Sequence, residues 1–308
     1  MSKVLFASLR PLERAENIKA VYDAYDGDKE FIRLKRESNP QMTSEEYSLL
    51  VADDFPMETP GKCLMIGHGM GAGKTYGIDQ PQAYHSRTRA DLLTHCIASS
   101  KAMVPYVESY SGIPADRILP IGMPRTDAYF KPWKKAGEKK TYLFLPTFRP
   151  AGATDLQRIN WERIDEQLED DERLIVKPHM VTKHILNGEY RHIEEASSED
   201  GTIPYLMDAD VVITDYSSAM FDALVCKKPV VLFEKDWNHY LVKRGMYCRY
   251  PQEYSRYHSQ SEDALVEMLR TAEWDEFFED RREFFAGSCD GHSVERTCEV
   301  IRRMICES

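Results

Sequence analysis

What this sequence lacks narrows its function first. No apolar stretch approaches the roughly 20 residues that a bilayer crossing needs; runs such as KPVVLF at 228–233 are far shorter. The opening MSKVLFASLR has a lysine before an apolar run, but the run stops at Arg10 without a small-residue cleavage site, so it reads as a first strand and not as an export signal. No C-x-x-C pair occurs among the seven scattered cysteines, Cys63, Cys96, Cys226, Cys248, Cys289, Cys298 and Cys306. Reduced thiols in a reducing compartment are expected, and with them a cytoplasmic location. Positive charge is in deficit: 40 Lys and Arg stand against 51 Asp and Glu, a formal net charge of -11. That balance excludes the basic stripe of a nucleic-acid reader. No H-E-x-x-H or paired Cys and His spacing marks a metal site, and no G-x-S-x-G elbow marks a serine hydrolase. An anionic small substrate stays compatible, provided that a few cations gather at one place.

What is present is a folding chain larger than one ordinary domain. The 308 residues are 42% hydrophobic and 30% charged, near the values of soluble globular proteins. VLFASL (4–9) followed by the helical spacing of Ile18, Val21, Tyr22 and Tyr25 predicts a strand and a helix. FIRL (31–34) reads as a short strand, SEEYSLLVADD (44–54) as a helix, and CLMI (63–66) as a buried strand entering a glycine cluster. The basic, Pro- and Gly-broken stretch FKPWKKAGEKK (130–140) predicts a connection, dividing the chain into domains 1–130 and 131–308. YLFLPTF, RLIVKPH, DVVIT and PVVLF are unbroken apolar runs alternating with helical segments, as parallel strands covered on both faces require. Three helices are expected from 261 to 306. The coarse architecture is α/β: two Rossmann-like halves with a helical tail.

Several strand ends carry chemistry. GHGMGAGKT (67–75) follows a buried strand and ends in Lys74 and Thr75, which invites comparison with a P-loop. The required first glycine falls on His68, and Gly77 and Pro81 interrupt the helix that should follow, so a P-loop kinase or ATPase is only an alternative. His68, between Gly67 and Gly69, is open to an approaching substrate and suits a general base; an ordinary turn histidine would leave the same trace. In DVVITDYSSAMFDALV, Thr214 and Asp215 close a strand, and Ser217 and Ser218 stand where a helix begins, a phosphate site or simple capping. LPTFR brings Arg149 past one strand and IVKPH brings Lys177 and His179 past another. Ligands of open parallel sheets lie beyond the carboxyl ends of strands, so these residues should converge on one crevice. GMPRTD (122–127) adds Arg125 and Asp127.

In this order, HG with a following lysine, GMPRTD, LPTFR, KPH and TDYSSAMFD followed by KKPVVLF, the motifs resemble the CDP-glycerol glycerophosphotransferase family of teichoic-acid and capsule synthesis. The resemblance spans roughly residues 63–250. It implies a GT-B-like fold of two facing Rossmann-like domains, the first on the acceptor side and the second holding a CDP-glycerol or CDP-ribitol donor. It also implies transfer of an alditol phosphate to a polyol-phosphate or glycan acceptor, lipid-linked in many members, with release of CMP. By position His68 would be the base, His179 would meet the donor phosphates, Arg149 and Lys177 would add cations, and Ser217 and Ser218 would hold the diphosphate, with Thr214 and Asp215 beside them. Gly69, Lys74, Arg125 and Asp127 are further candidates. Met180 stands where a proline is common, and the region before the HG loop is short. A GT-B sugar-nucleotide glycosyltransferase or epimerase is the alternative. No cofactor is demanded, Mg²⁺ stays compatible, and a peripheral contact with the inner membrane face would follow from a lipid-linked acceptor.

Overall fold

The computed structural model describes residues 3–35, 42–80, 90–147, 159–179, 182 and 184–306. The chain divides into two compact units. One comprises Met1–Lys131 with Glu283–Ser308, and the other Pro132–Arg282.

Each unit is built on a six-stranded parallel sheet. In the first, β1 (Val4–Ser8), β2 (Lys29–Arg33), β3 (Leu49–Ala52), β4 (Cys63–Met65), β5 (His95–Ile97) and β6 (Ile118–Leu119) lie in the order β2-β1-β3-β4-β5-β6. In the second, β7 (Lys140–Leu145), β8 (Glu172–Val176), β9 (Ile193–Glu195), β10 (Val211–Thr214), β11 (Val230–Phe233) and β12 (Tyr257–Ser259) lie in the order β12-β11-β10-β7-β8-β9. The central strands are buried along their whole length, Val4 to Ala7 and Leu49 to Ala52 in one sheet and Val211 to Thr214 in the other. Their apolar runs therefore do not alternate, since both faces are covered. In the second unit Phe144, Trp161, Ile164, Ile213, Phe233 and Leu269 belong to one buried cluster.

The winding of each sheet reverses once, between β1 and β3 in the first and between β7 and β10 in the second. Two neighbouring strands then send their chains to opposite faces, leaving a crevice outside their carboxyl ends. Both crevices fall on the motifs singled out in the sequence.

Two expectations need correction. Residues 44–54 are not a helix: β3 occupies Leu49–Ala52, between β1 and β4. Four consecutive apolar residues fit a strand buried on both faces, and the preceding polar residues form only a turn. The short edge strands β9 and β12, three residues each, carried no pattern long enough to predict them. The C-terminal helix Ser293–Cys306 belongs to the first unit, whereas the sequence reading kept all of 131–308 together. Its buried stripe Thr297, Cys298, Val300, Ile301 and Met304 packs on the helix Glu16–Ala24 and on the GMPRTD segment. Main-chain and side-chain bonds fix it there. Lys62 donates to the Met304 carbonyl at 2.8 Å and Arg296, on the helix, to that of Ile121 at 3.0 Å, while Ser99 holds the end of the preceding helix through the Phe285 carbonyl at 2.6 Å.

Asp127 acts at this joint. Its carboxylate accepts from the backbone N–H of Ser293 at 3.0 Å and of Val294 at 2.7 Å, so it caps the C-terminal helix from a distant segment. Gly122, at φ 86°, is needed beside it, because a Cβ there would lie 2.2 Å from Ser293 Oγ and 2.4 Å from the Ser288 carbonyl. Replacing Asp127 by Ala should destabilise the first unit by about 0.5 to 2 kcal/mol, read as an earlier urea transition, with the far-ultraviolet spectrum unchanged before unfolding.

Candidate active site

At the first crevice Ser8, ending β1, donates to Asp53 Oδ2 at 2.8 Å just past β3, a bond across the reversal. The Asp53 carbonyl lies 3.1 Å from His68 Nδ1. A carbonyl can only accept, so Nδ1 carries the hydrogen and Nε2 keeps its lone pair. Gly67 takes φ 63°, the left-handed turn that lifts His68 off the end of β4. The imidazole meets the Tyr76 ring edge to face at 5.4 Å, and the Tyr76 hydroxyl donates to Asp54 Oδ1 at 2.6 Å.

Two residues hold the loop from behind. Asn17, buried on the helix Glu16–Ala24, donates from Nδ2 to the Gly67 carbonyl and accepts at Oδ1 from the Arg125 N–H, both at 2.9 Å. Arg125, itself buried, donates to the His68 carbonyl at 3.0 Å. One amide thus ties the HG loop to GMPRTD. Asn17, Asp53 and Asp54 escaped the sequence reading. Asn17 adjoins the apolar stripe of its helix, and a polar residue at a buried helical position was the available signal. Reading 44–54 as a helix hid the two aspartates, which are strand-end residues once β3 is placed.

Burial is the main force on this chemistry. Desolvation lowers the His68 pKa from its ordinary 6.5; Asp54 opposes the change, while Arg10 and Arg125 add to it. His68 keeps part of its surface open, so it is a neutral imidazole at neutral pH within reach of solvent. Desolvation also raises Asp53 to about 6, against the Ser8 hydrogen bond and the charge of Arg10. Lys74 sits in a non-helical stretch, and the next element is a single 3-10 turn at Gly77–Asp79. Among the described residues no helix begins at Lys74 and Thr75, where a P-loop would need its phosphate-binding dipole.

At the second crevice the Thr214 hydroxyl donates to the Leu145 carbonyl at 2.6 Å, and Asp215 Oδ1 accepts from the N–H of Thr147 at 2.8 Å and of Tyr216 at 2.5 Å. Both side chains are buried and shape the turn. Ser218 is the N-cap of the helix Ala219–Val225 yet makes no side-chain cap bond, and Ser217 Oγ accepts from the Ala219 N–H at a long 3.3 Å. Both residues are partly exposed, and the Ser218 hydroxyl is not spent on capping the helix. Tyr216 stacks on Tyr240 at 4.0 Å and donates to Asp236 at 2.5 Å, anchoring this turn to the segment after β11. Next to β7, β8 delivers Lys177 and His179. Lys177 is buried, its Nζ 3.4 Å from the Ser197 carbonyl and 5.9 Å from the Tyr205 ring centre. His179 is exposed, and its carbonyl accepts from the Thr182 N–H at 2.7 Å. Arg149 lies outside the described residues. Among the described residues no group of three or more His, Cys, Asp or Glu side chains could hold a metal ion.

The profile of the family described as CDP-Glycerol:Poly(glycerophosphate) glycerophosphotransferase matches residues 3–303. The chain belongs to that family. Among curated relatives of this glycerophosphotransferase family, a teichoic acid poly(ribitol-phosphate) polymerase of Bacillus spizizenii is 25% identical over 97% of this chain and 56% of its own length. A teichoic acid glycerol-phosphate primase of Bacillus subtilis is 28% identical over 61% of this chain and 54% of its own. The chain thus spans about half the length of these relatives. A solved structure of the wall teichoic acid polymerase TagF superposes with a TM-score of 0.78 at 18% identity, covering 99% of this chain and 90% of that one. The S. aureus MnaA-UDP co-structure follows at 0.62 and 14% identity, covering 98% and 96%. These likenesses bear on the fold, which is GT-B-like α/β.

The raised Asp53 pKa makes a testable statement about stability. Since the folded value, about 6, exceeds the ordinary 3.8, the group favours the fold below pH about 4 and loses that contribution as pH rises through 6. Asp53→Asn, which retains an acceptor for Ser8, should therefore be more stable than the parent at pH 7.5, by up to about 3 kcal/mol. Urea titrations at several pH values should show the difference shrink toward pH 4.

Proposed function

We propose that the protein is a transferase that moves an alditol phosphate, glycerol or ribitol phosphate, from a CDP-alditol to an acceptor hydroxyl, with release of CMP, in the synthesis of a teichoic-acid-like or capsular polymer. The observation that carries this reading is the neutral His68 imidazole with Nε2 available, in a chain of the glycerophosphotransferase family. The acceptor hydroxyl gives its proton to Nε2 as its oxygen attacks the phosphorus that bears the alditol. The bond from that phosphorus to the bridging oxygen breaks, and CMP leaves with the oxygen. Such a transfer needs chiefly position and charge stabilisation. In the second unit Ser217, Ser218 and the N–H groups that follow them receive the diphosphate, with His179 and Arg149 as further phosphate contacts. Thr214 and Asp215 serve by holding the turn, and Lys177 by its charge below it. Arg125 positions His68 through its carbonyl, and Gly69 and Lys74 belong to the same loop.

A lipid-linked acceptor would bring the protein to the inner membrane face as a peripheral visitor. In keeping with that, among the described residues no helix is long and apolar enough to cross a membrane.

Two measurements test the reading. CDP-glycerol or CDP-ribitol should raise the melting temperature, CMP and CDP less so, and ATP not at all; a ligand at 100 times its Kd contributes about 2.7 kcal/mol. Stabilisation by ATP alone would refute the donor assignment. His68→Ala should lower kcat by about 10² to 10⁴ and leave the donor-induced melting shift intact. In the parent, kcat/KM should rise with pH through an apparent pKa below 6.5, the limb on which His68 loses its proton, and that limb should vanish in the variant.

A further inference from the structure

A general base that takes a proton becomes a cation, and a cation drawn partly out of water needs an anion near it. His68, half-buried, has no such anion on its own hydrogen bond. Its Nδ1–H goes to the Asp53 carbonyl, a dipole without net charge, where the histidine of a catalytic triad has a carboxylate that stabilises the imidazolium. The Asp53 carboxyl is turned to Ser8. Two arginines act on the ring, and both oppose a positive charge there. Arg10 follows β1, and Arg125, with Glu16 at 4.0 Å, reaches the His68 carbonyl from the GMPRTD segment.

Asp54 supplies what is missing. Its Oδ1 accepts from the Phe55 N–H at 2.8 Å and from the Tyr76 hydroxyl at 2.6 Å. Of the charged side chains that act most strongly on the imidazole, it is the one that favours the protonated form. Tyr76 joins the two groups: its ring stands edge to face against the imidazole at 5.4 Å while its hydroxyl holds the carboxylate. Burial, with Asp54 beside it, keeps that phenol well above its ordinary pKa of 10, so the hydroxyl stays a donor wherever the protein is folded. The ring is fixed in its turn by Phe55 at 5.8 Å and Tyr110 at 5.1 Å. The chain next to it takes φ 54° at Gly77, where a Cβ would lie 2.1 Å from the Tyr110 carbonyl and 2.9 Å from the Phe55 ring. Only a glycine permits that approach.

We propose that Asp54, held by Tyr76, is the counter-charge of the base: a positioning residue whose carboxylate stabilises the imidazolium formed when His68 takes the acceptor proton. The acceptor O–H bond breaks, its electron pair stays on the oxygen that attacks phosphorus, and the proton rests on Nε2 until the imidazolium passes it to water. The proposal rests on the transferase reading and adds a residue that acts on its base.

The test uses the full chain labelled with ¹⁵N in its histidines, the His68 signals being assigned by comparison with His68→Gln. Asp54→Asn keeps an oxygen acceptor for Tyr76 and Phe55 and removes the charge. Loss of the anion disfavours the imidazolium, so the His68 titration and the rising limb of kcat/KM should both move down by about one pH unit. On the high-pH plateau kcat should fall by up to about tenfold, the same stabilisation lost from the transition state, and the CDP-glycerol melting shift should stay intact. Asp54→Glu, which keeps the charge, should titrate close to the parent. Tyr76→Phe, which keeps the ring, should move both readouts in the direction of Asp54→Asn by less, and it carries the test should Asp54→Asn fail to fold. Turnover of a CDP-alditol with kcat lowered but the titration unmoved overturns the counter-charge alone, as does a parent His68 that stays neutral down to acid unfolding. A shifted titration in a protein that neither turns over a CDP-alditol nor is stabilised by one overturns the transferase reading and leaves the coupling of Asp54 to His68.

Discussion

Where a parallel sheet reverses its winding, two paired strands send their chains to opposite faces, and the polar groups just past the strand ends must find partners outside the ladder. Both sheets of this protein meet that constraint with an aspartate directly after a strand. Asp53 takes the Ser8 hydroxyl across one reversal, and Asp215 takes the Thr147 N–H across the other. The functional groups are then mounted on these pins. His68 is oriented by the main-chain carbonyl of Asp53, and Ser217 and Ser218 follow Asp215 by two and three residues.

The first pin works against the stability of its own unit. Burial raises Asp53 and lowers His68 through the same desolvation, and the Ser8 bond offsets only part of the cost of an ionised Asp53. An apolar residue in its place would remove the penalty and, with it, the tie between β1 and β3. Local stability has been given up for a fixed imidazole, the usual exchange at a reactive site. Asn17 adds rigidity at little electrostatic cost, since a neutral amide satisfies a carbonyl and an N–H at once.

Much of this was legible in the residues. Unbroken apolar runs marked most of the strands, and parallel pairing alone brought HG, GMPRTD, KPH and TDYSS to strand ends. The rest was hidden for identifiable reasons. LLVA is too short for its period to separate helix from strand, so β3 was misread, and Asp53 and Asp54 disappeared with it. Thr214 and Asp215 enter as phosphate-site candidates from the motif alone, which records which residues occur and not which way they face; in the structure their side chains are buried and hydrogen-bonded within the turn. The destination of the C-terminal helix could not be read locally, because its partners, Asp127, Lys62 and the helix Glu16–Ala24, lie more than 160 residues away in the chain.

The return of residues 283–306 to the first unit bears on how the chain is born. A ribosome delivers Pro132–Arg282 as one uninterrupted stretch, which can complete its sheet as it emerges. The unit begun earlier must wait with an uncovered flank until Ser293 and Val294 reach Asp127 and the Met304 carbonyl reaches Lys62. The second unit can therefore be finished before the first. A premature stop ahead of Ser293 would release an intact second unit tethered to a half-built first one, with the imidazole in the half-built part.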